Sequence, residues 1–522
     1  MLVSFLFALA LSASPSLCKQ YEFTLTNKNV SPDGGPIRSA IVVNGQTPGP
    51  LITANKGDRV QIKIKNRLTD ATMAQATSIH WHGIFQPRTA GMDGAGWVTQ
   101  CPIATGDDFT YSLTLGDQTG TYWYHSHITT QYCDGLRGAI VIYDPQDPNR
   151  HLYDVDNANT VITLADWIRN PSPYAYSHFE NPETILINGL GRVPGGTKSP
   201  LAVVKVQRSV RYRFRVINTA CVAGFSFSID GHELSVIETD GTESKPSNKA
   251  SVVTIWSGQR VSIVVTADQP PNNYWIRAVP IIVGSLPSQE VGVNAAILRY
   301  DGAPEVEPTT TKTGFSEIKE QDLVSIGQHA NLSGTPKVKL NFNIGVNAQK
   351  TAFTMNGYTF TPPSVPVLLQ ILSGKVNPYD IMPAGSVIPL PKNQLIEITV
   401  PGGSTMAPHP FHLHGHKFGV VRSASSQIVN TQSPVMRDVV NTGVSPLDNV
   451  TIRFITDNPG PWIFHCHIDF HLTAGLAVVF AEDVPGQRSG GQSQTVTEAW
   501  KELCPKWNAT KTGKQYTVSD LY

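Results

Sequence analysis

The 522-residue chain has few charged side chains, and their signs cancel. Charged residues make up 15% of the sequence, with 40 basic and 40 acidic side chains and a formal net charge of zero. Such a balance does not favour nucleic acid or an anionic membrane surface as a partner. Beyond the N-terminus, no stretch reaches the roughly 18 apolar residues that a membrane-spanning helix needs. We therefore expect no nucleic-acid partner and no membrane partner.

Glycine and proline are abundant instead, with 43 and 38 residues. This composition favours many short strands and turns over long helices. Residues 60–65, 212–216 and 395–400 alternate apolar with polar side chains, which predicts strands. A chain of this length is too long for one core and indicates about three domains.

The N-terminus predicts secretion. Residues 2–11 form a short apolar run, which small and polar residues follow. This pattern is typical of a secretory signal, here residues 1–19, with cleavage close to Cys18 or Lys19. We therefore expect the mature protein to be secreted and extracellular.

Cysteine use and glycosylation sequons agree with an oxidising compartment. Of the six cysteines, Cys18 lies beside the signal and Cys466 lies among histidines, which leaves an even number for two disulfides with three possible pairings. The four sequons begin at Asn29, Asn331, Asn449 and Asn508.

Ten of the fifteen histidines fall in four short clusters, and each cluster contains a His-x-His pair. Residues i and i+2 of a strand point to the same face, so each pair can direct two imidazoles at one metal centre. In the last cluster Cys466 lies between two histidines and points to the opposite face, which indicates two different metal sites joined by one piece of backbone. The clusters are His80 and His82; His125 and His127; His409, His412 and His414; and His465, His467 and His471.

An internal repeat organises these clusters. The order His-x-His-Gly, then Gly-x-x-Trp/Ile-x-His-x-His, occurs at residues 80–83 and 120–127 and again at residues 412–415 and 460–467. A middle copy lacks the ligands, with Ser228 and Asp230 in place of the first histidine pair. We therefore expect three homologous Greek-key β-sandwich domains, at residues 20–147, 148–310 and 311–522, with metal chemistry in the first and third.

The ligand types point to copper. Two imidazoles and one thiolate make the trigonal site of blue copper, and Cys466, His471 and His409 can supply them. The other eight clustered histidines suit three further coppers, with two nitrogens for one metal and three for each of the others. Such a cluster of metals has to lie between the first and third domains.

The four histidine motifs resemble the copper signatures of multicopper oxidases, and the context at residues 448–462 is similar to fungal laccases. The resemblance runs from about residue 21 to residue 504. It implies three cupredoxin-like domains and four copper ions: one type 1, one type 2 and two type 3. It also implies one-electron oxidation of phenolic or aromatic amine donors, coupled to reduction of O2 to two waters, by a protein that we expect to be a monomer.

The resemblance also implies a role for each ligand and a pairing for the remaining cysteines. Cys466 and its neighbours His465 and His467 would conduct electrons from the type 1 copper to the other three. The disulfides would be Cys101–Cys504 and Cys133–Cys221. The implied ligand sets are His409, Cys466 and His471 for type 1; His80 and His412 for type 2; His82, His125 and His467 for one type 3 copper; and His127, His414 and His465 for the other.

Four further residues are singled out beside the expected ligands. Leu476 stands at the axial position of the type 1 site, where it cannot ligate and should raise the potential. Asp93 stands where the family places a proton-supplying acid, and Asp469, two residues after His467, is a second candidate acid, although either could serve only as a turn or structural hydrogen bond. Val222 replaces an aspartate that binds phenols in many fungal laccases, so we expect a weaker preference for phenols at acid pH. The five remaining histidines are expected to be structural or on the surface: His151, His178, His232, His329 and His416.

Two other functions remain open at this point. A related oxidase could use ferrous iron, bilirubin or ascorbate as its donor. A membrane-tethered ferroxidase would be expected to have a C-terminal apolar span, and an ascorbate oxidase would usually have methionine in place of Leu476. A copper-binding or structural array without catalysis is the second alternative, but storage does not require paired sites.

Overall fold

The structure is a computed structural model that describes residues 18–281, 288, 290–312, 314–327, 329–383, 385–403 and 408–510. The predicted signal at residues 1–19 lies almost entirely outside these residues. The described chain consists mainly of short strands, as the composition predicts. In this part of the chain, no helix is both long enough and apolar enough to cross a membrane.

The first domain consists of two four-stranded sheets, in the orders β2-β1-β4-β6 and β3-β8-β7-β5. In β4 the apolar side chains of Val60, Ile62 and Ile64 are buried while the residues between them are less so, which is the alternation that predicted the strand. The strands are β1 Cys18–Val30, β2 Arg38–Val43, β3 Gly49–Asn55, β4 Arg59–Asn66, β5 Ile79–His82, β6 Asp108–Thr114, β7 Gly120–Ser126 and β8 Arg137–Tyr143.

The second domain has a seven-stranded sheet, β11-β10-β9-β13-β18-β15-β16, and a six-stranded sheet, β12-β20-β19-β14-β17-β21. The last strand of the second sheet, β21, comes from the chain that leads into the third domain. The strands are β9 Val161–Trp167, β10 Thr184–Ile187, β11 Leu190–Gly191, β12 Val203–Val206, β13 Arg211–Asn218, β14 Gly224–Ile229, β15 Ser235–Thr239, β16 Thr242–Glu243, β17 Val252–Ile255, β18 Arg260–Thr266, β19 Asn273–Ile281, β20 Ala295–Tyr300 and β21 Glu317–Ile318.

The third domain has two five-stranded sheets, β22-β26-β31-β28-β29 and β25-β33-β32-β27-β30, and the small sheet β23-β24. The strands are β22 Val338–Asn341, β23 Ile344–Val346, β24 Phe353–Met355, β25 Val387–Leu390, β26 Leu395–Pro401, β27 Pro410–Leu413, β28 Phe418–Arg422, β29 Val435–Arg437, β30 Val439–Asn441, β31 Asn449–Ile455, β32 Gly460–Cys466 and β33 Ala477–Glu482. The α-helices are short: α1 Ser172–Ser177, α2 Val367–Leu372, α3 Asp469–Thr473, α4 Val484–Arg488, α5 Glu498–Lys501 and α6 Leu503–Ala509.

The two predicted disulfides are confirmed, and each joins the first domain to another part of the molecule. Cys101 pairs with Cys504 in α6, and Cys133 pairs with Cys221 of the second domain. These bonds hold the C-terminal helices and the second domain against the first.

The three predicted strands are also confirmed, but one of them differs in its environment. Residues 212–216 lie in β13, where the arginines between the apolar residues are buried rather than solvated. Arg213 and Arg215 are 1% and 2% exposed, because carboxylates from distant parts of the chain pair with them. Alternation in β13 therefore reflects a buried ionic face.

Candidate metal centres

The same pairing of strands presents histidines in the first and third domains. In the first domain β5 pairs with β7, and His80 lies opposite His125. In the third domain β27 pairs with β32, and His412 lies opposite His465. The repeated motifs therefore pair in the same way in both domains. The two sets of imidazoles meet at the boundary between these domains, where His80 lies against His412.

The described residues include four groups of three donor atoms whose members lie within 4.8 Å of one another. These groups contain eleven different side chains, all from the predicted clusters, because the imidazole of His82 belongs to two of them. The groups are His80, His82 and His412; His82, His125 and His467; His127, His414 and His465; and His409, Cys466 and His471.

In the first group, two imidazoles have their outer nitrogens anchored to backbone. Nδ1 of His80 donates to the carbonyl oxygen of Asp93 at 2.8 Å, and Nδ1 of His412 donates to the carbonyl oxygen of Asp438 at 2.8 Å. With both protons held there, the Nε2 atoms face each other at 3.4 Å as lone pairs. This arrangement leaves two nitrogen ligands free for one cation.

In the second group, Nε2 of His82 carries the proton and Nδ1 presents the lone pair, which is the opposite of the arrangement in His80 and His412. Nε2 of His82 donates to the carboxylate of Asp438 at 3.1 Å, so its Nδ1 faces Nε2 of His467 at 3.2 Å. Nδ1 of His125 donates to the carbonyl oxygen of Ser126, and its Nε2 is buried without a hydrogen-bond partner. An unpartnered buried nitrogen beside two facing lone pairs is the environment that a metal ion completes.

The third group has the same organisation. Nε2 of His414 lies 3.2 Å from Nε2 of His465, while their Nδ1 atoms donate to the carboxylate of Asp93 and the carbonyl oxygen of Cys466. Nε2 of His127 is buried without a hydrogen-bond partner. Histidines that bind metals usually direct the second nitrogen at such an acceptor.

The fourth group contains the sulfur. Sγ of Cys466 lies 3.5 Å from Nδ1 of His409 and 3.5 Å from Nδ1 of His471, and the two nitrogens are 3.1 Å apart. Cys466 and His409 are fully buried, whereas His471 is partly exposed. Two nitrogens and one sulfur at the corners of a small triangle suit a trigonal copper site.

Burial lowers the pKa of nine of these imidazoles and so favours their neutral form; they belong to His82, His125, His127, His409, His412, His414, His465, His467 and His471. It lowers the pKa of His409 to about 4 and that of His467 to about 3. It also raises the pKa of the Cys466 thiol, so a cation has to displace the thiol proton when it binds. Neutral imidazoles and a displaceable thiol proton are the donor set that copper prefers, and the residues therefore fit the metal.

Three family models described as multicopper oxidase match residues 24–147, 158–303 and 360–486. The laccase of Trametes hirsuta is 50% identical over 515 residues, which are 97% of this chain and 98% of that protein. The laccase of Phlebia radiata is 51% identical over 495 residues, which are 94% of each chain. This chain belongs to the multicopper oxidase family.

Solved structures agree with this membership. The laccase of Botrytis aclada superposes with a TM-score of 0.83 at 29% identity, over 97% of this chain and 95% of that chain. Fet3p, a multicopper oxidase that functions in iron import, gives 0.83 at 28% identity, over 94% of this chain and 95% of that chain. The three cupredoxin-like domains are confirmed. Because laccases are about 50% identical over nearly the whole chain, the chain is a laccase-type multicopper oxidase with four copper ions as cofactors.

Leu476 lies beside the sulfur-containing group of this multicopper oxidase. It is fully buried, its carbonyl oxygen accepts from the Cys466 amide at 3.1 Å, and its amide donates to the carbonyl oxygen of His471 at 2.9 Å. Its side chain belongs to the same apolar cluster as Cys466. A leucine here offers no donor atom to a metal.

The two singled-out aspartates occupy different surroundings. Asp93 contacts two metal-facing histidines, His80 and His414. Asp469 is buried at the start of α3, with its carboxylate 3.5 Å from Sγ of Cys133. Burial, followed by the charges of Asp134 and Asp166, raises the pKa of Asp469 well above its usual value.

Several residues that contact the histidines were not among the predicted site residues. Trp123 stacks on His125 with ring centroids 4.2 Å apart, and Tyr132 donates to the carbonyl oxygen of His467 at 3.2 Å. Asp438 holds both His82 and His412, and residues 257–260 of the second domain also reach the histidines. The aromatic motif around His125 was visible in the sequence, but nothing local marked the other residues.

Proposed function

We propose that the four donor groups hold the four copper ions of this laccase-type oxidase. The geometry of the Cys466 group carries the proposal, because a thiolate with two imidazoles is specific to blue copper among common metal sites. The proposed sets are His409, Cys466 and His471 for type 1; His80 and His412 for type 2; and His82, His125 and His467 with His127, His414 and His465 for the type 3 pair.

Bound copper supplies the redox chemistry, in which four donors each lose one electron while O2, four electrons and four protons become two waters. The protein provides the connection between the sites. Cys466 is joined by peptide bonds to His465 and His467, which face the two type 3 positions. Electrons therefore travel from the sulfur to the histidines through a few covalent bonds.

Aromatic donors deliver electrons at His471. This imidazole is partly exposed, and the ring of Phe353 lies 4.6 Å from it, so an apolar edge adjoins the point of electron transfer. Phenols and aromatic amines fit such an edge. Val222 is half-buried and follows Cys221, whose carbonyl oxygen accepts from the amide of Asp469, two residues before His471. Its side chain offers no carboxylate to accept the proton of a phenol.

O2 and protons reach the other coppers separately. A cavity of about 50 Å³ borders His127 and is lined by apolar side chains such as Phe360, Ile463 and Leu472, which suits O2. Asp93, in contact with His414, is placed to hold a proton beside the site, and Asp469 is the second proposed acid.

We further propose that the protein is secreted as a monomeric glycoprotein. The two disulfides support an oxidising compartment. Three sequon asparagines, Asn29, Asn331 and Asn508, are exposed, whereas Asn449 is half-buried and accepts from Arg422. Mass spectrometry of the secreted protein for its N-terminus and glycans tests this proposal.

Cys466→Ser tests the assignment of the sulfur site. In the first domain Ser126 stands between His125 and His127, so the variant makes the third-domain motif resemble the first. We expect loss of the intense visible thiolate-to-copper band, about three retained coppers per chain, an unchanged circular dichroism spectrum and no oxidation of phenols. Substantial turnover of a phenol by this variant would refute the electron path.

A further inference from the structure

The second domain contributes no histidine to the four donor groups, yet one of its turns reaches the proposed trinuclear centre. The turn comprises residues 256–259, between β17 and β18, together with Arg260, the first residue of β18. Three of its residues, Ser257, Gly258 and Arg260, contact metal-facing histidines or the carboxylate that holds them.

Ser257 is fully buried and bonds to the outer nitrogen of His467. Its hydroxyl donates to the carbonyl oxygen of Ala220 at 2.5 Å, so it is free to accept from Nδ1 of His467 at 3.2 Å. With the imidazole proton held on Nδ1, the lone pair of Nε2 faces the metal position.

Gly258 limits the space behind the same imidazole. It has a φ of +87°, and a Cβ at this position would lie 2.8 Å from Cδ2 of His467 and 3.1 Å from Cγ2 of Val439. Only glycine combines this left-handed backbone with so close an approach. The turn therefore forms a wall against one face of the ring.

Arg260 acts one step further away, through Asp438. Both residues are fully buried, and the guanidinium donates to the two carboxylate oxygens at 2.5 and 2.8 Å. Its Nε also donates to the carbonyl oxygen of Thr121, four residues before His125 in β7. The bidentate contact fixes the plane of the carboxylate, which then accepts from Nε2 of His82 at 3.1 Å.

We infer that residues 257–260 of the ligand-free domain position the trinuclear copper site. Arg260 orients Asp438 so that His82 presents Nδ1 to the metal, and Ser257 orients His467 so that it presents Nε2. Arg260 and Ser257 are thus positioning residues, and the inference rests on the ligand sets proposed above. The second domain thus supports the trinuclear site, although its own copy of the motif has Ser228 and Asp230 in place of the histidine pair.

Arg260→Lys tests the bidentate contact, and Arg213→Lys is its control. Arg213 is a buried arginine of the same domain that pairs with Glu238 and Asp147 and contacts no metal-facing histidine. Each holoenzyme is dialysed against a graded series of a copper chelator, and the copper per chain, the visible type 1 band and the thermal unfolding temperature are measured. We expect R260K to lose trinuclear copper at about tenfold lower chelator concentration, because partners that orient ligands contribute about 10–100-fold to metal affinity.

The type 1 band of R260K should stay intact, and R213K should retain copper as the wild type does even if it unfolds at a lower temperature. Copper retention by R260K equal to that of the wild type would overturn the inference, and so would equal copper loss in both variants. A wild-type protein that bound no copper would instead refute the proposed ligand sets.

Ser257→Ala provides a second, independent test, and it decides the question in the case that R260K does not fold. Ser262→Ala is the control, because Ser262 is also buried and its hydroxyl bonds to Glu238 rather than to a histidine. We expect S257A to lose trinuclear copper, with weakening of the near-ultraviolet type 3 band, at a lower chelator concentration than S262A. Identical copper retention by these two variants would overturn the part assigned to Ser257.

Discussion

The carboxylate of Asp93 accepts a hydrogen bond from Nδ1 of His414 at 2.8 Å. The backbone carbonyl of the same residue accepts from Nδ1 of His80 at 2.8 Å. Asp93 therefore orients imidazoles that we assign to two different coppers. Its carboxylate lies within the same buried cluster, where reduction of O2 would consume four protons under the proposed assignment.

Asp93→Asn separates the charge of this residue from its hydrogen bond. The amide oxygen can still accept from His414, but the side chain cannot hold a proton for the reaction. We expect turnover to fall about 100-fold or more, the range for the loss of a positioned proton donor. Anaerobic bleaching of the visible band by a donor should proceed at the wild-type rate, because that step involves only the type 1 site.

Asp117→Asn is a suitable control, since the side chain of Asp117 is fully exposed. Slower anaerobic bleaching in D93N would contradict the assignment of Asp93 to oxygen reduction. Turnover of D93N within about twofold of the wild type would show that the charge is not needed.

Leu476→Met would place a thioether beside Cys466 and His471, the proposed type 1 ligands. The thioether stabilises the oxidised copper relative to the reduced one, so we expect a lower type 1 potential and slower oxidation of donors that are hard to oxidise. The fold should be little affected, because a volume-conserving exchange of Leu for Met costs less than about 1.5 kcal/mol. Redox titration of the visible band measures the shift, and an unchanged or raised potential would contradict the axial position of Leu476.

Val222→Asp supplies the carboxylate that position 222 lacks. The amide of Val222 donates to Asp166, which holds the backbone in place, so the new side chain should not move the turn. We expect a gain in kcat/KM for phenols at acid pH, since the carboxylate accepts the phenolic proton as the electron leaves. A one-electron donor without a proton to lose, such as ferrocyanide, should show no such gain. If the pH profile for phenols does not change, Val222 does not set the preference.

Much of the candidate site could be predicted from local patterns. The His-x-His spacing places two imidazoles on one face of a strand, and Cys466 between two histidines points to the other face. Both statements depend only on the period of a strand. The alternation at residues 60–65 and 395–400 identified two strands for the same reason.

Contacts between distant parts of the chain could not be predicted in this way. Arg260 and Asp438 are 178 residues apart, and neither lies in a motif that marks it. The alternation of Arg213 and Arg215 with apolar residues predicted a strand, but it did not predict that Glu238 and Asp156 pair with these arginines and bury them. Such pairs follow from the packing of domains, which a single strand's pattern does not contain.

The ion pairs around Arg213 give a pH dependence to stability. Four carboxylates surround Arg213 and Arg215, so the buried cluster has more negative than positive groups; they belong to Asp147, Asp156, Glu238 and Glu243. Burial raises the pKa of Glu243 from 4.5 to about 7; Arg213 opposes this rise, while the charges of Glu238 and Asp147 add to it.

Glu243→Gln should therefore stabilise the protein at neutral pH and not at acid pH. A raised pKa means that the folded state binds the proton more tightly than the unfolded state, so stability falls as the pH rises from about 4.5 to about 7. Glutamine does not ionise, and we expect the variant to unfold at least about 2–4 °C above the wild type at pH 8, with no difference near pH 4.5. Asp154→Asn, which removes an exposed ion pair with Arg211 in the same domain, should show no such rise between these two pH values. If E243Q shifts the unfolding temperature equally at both pH values, the ionisation of Glu243 is not the cause, and the cluster tolerates its excess negative charge.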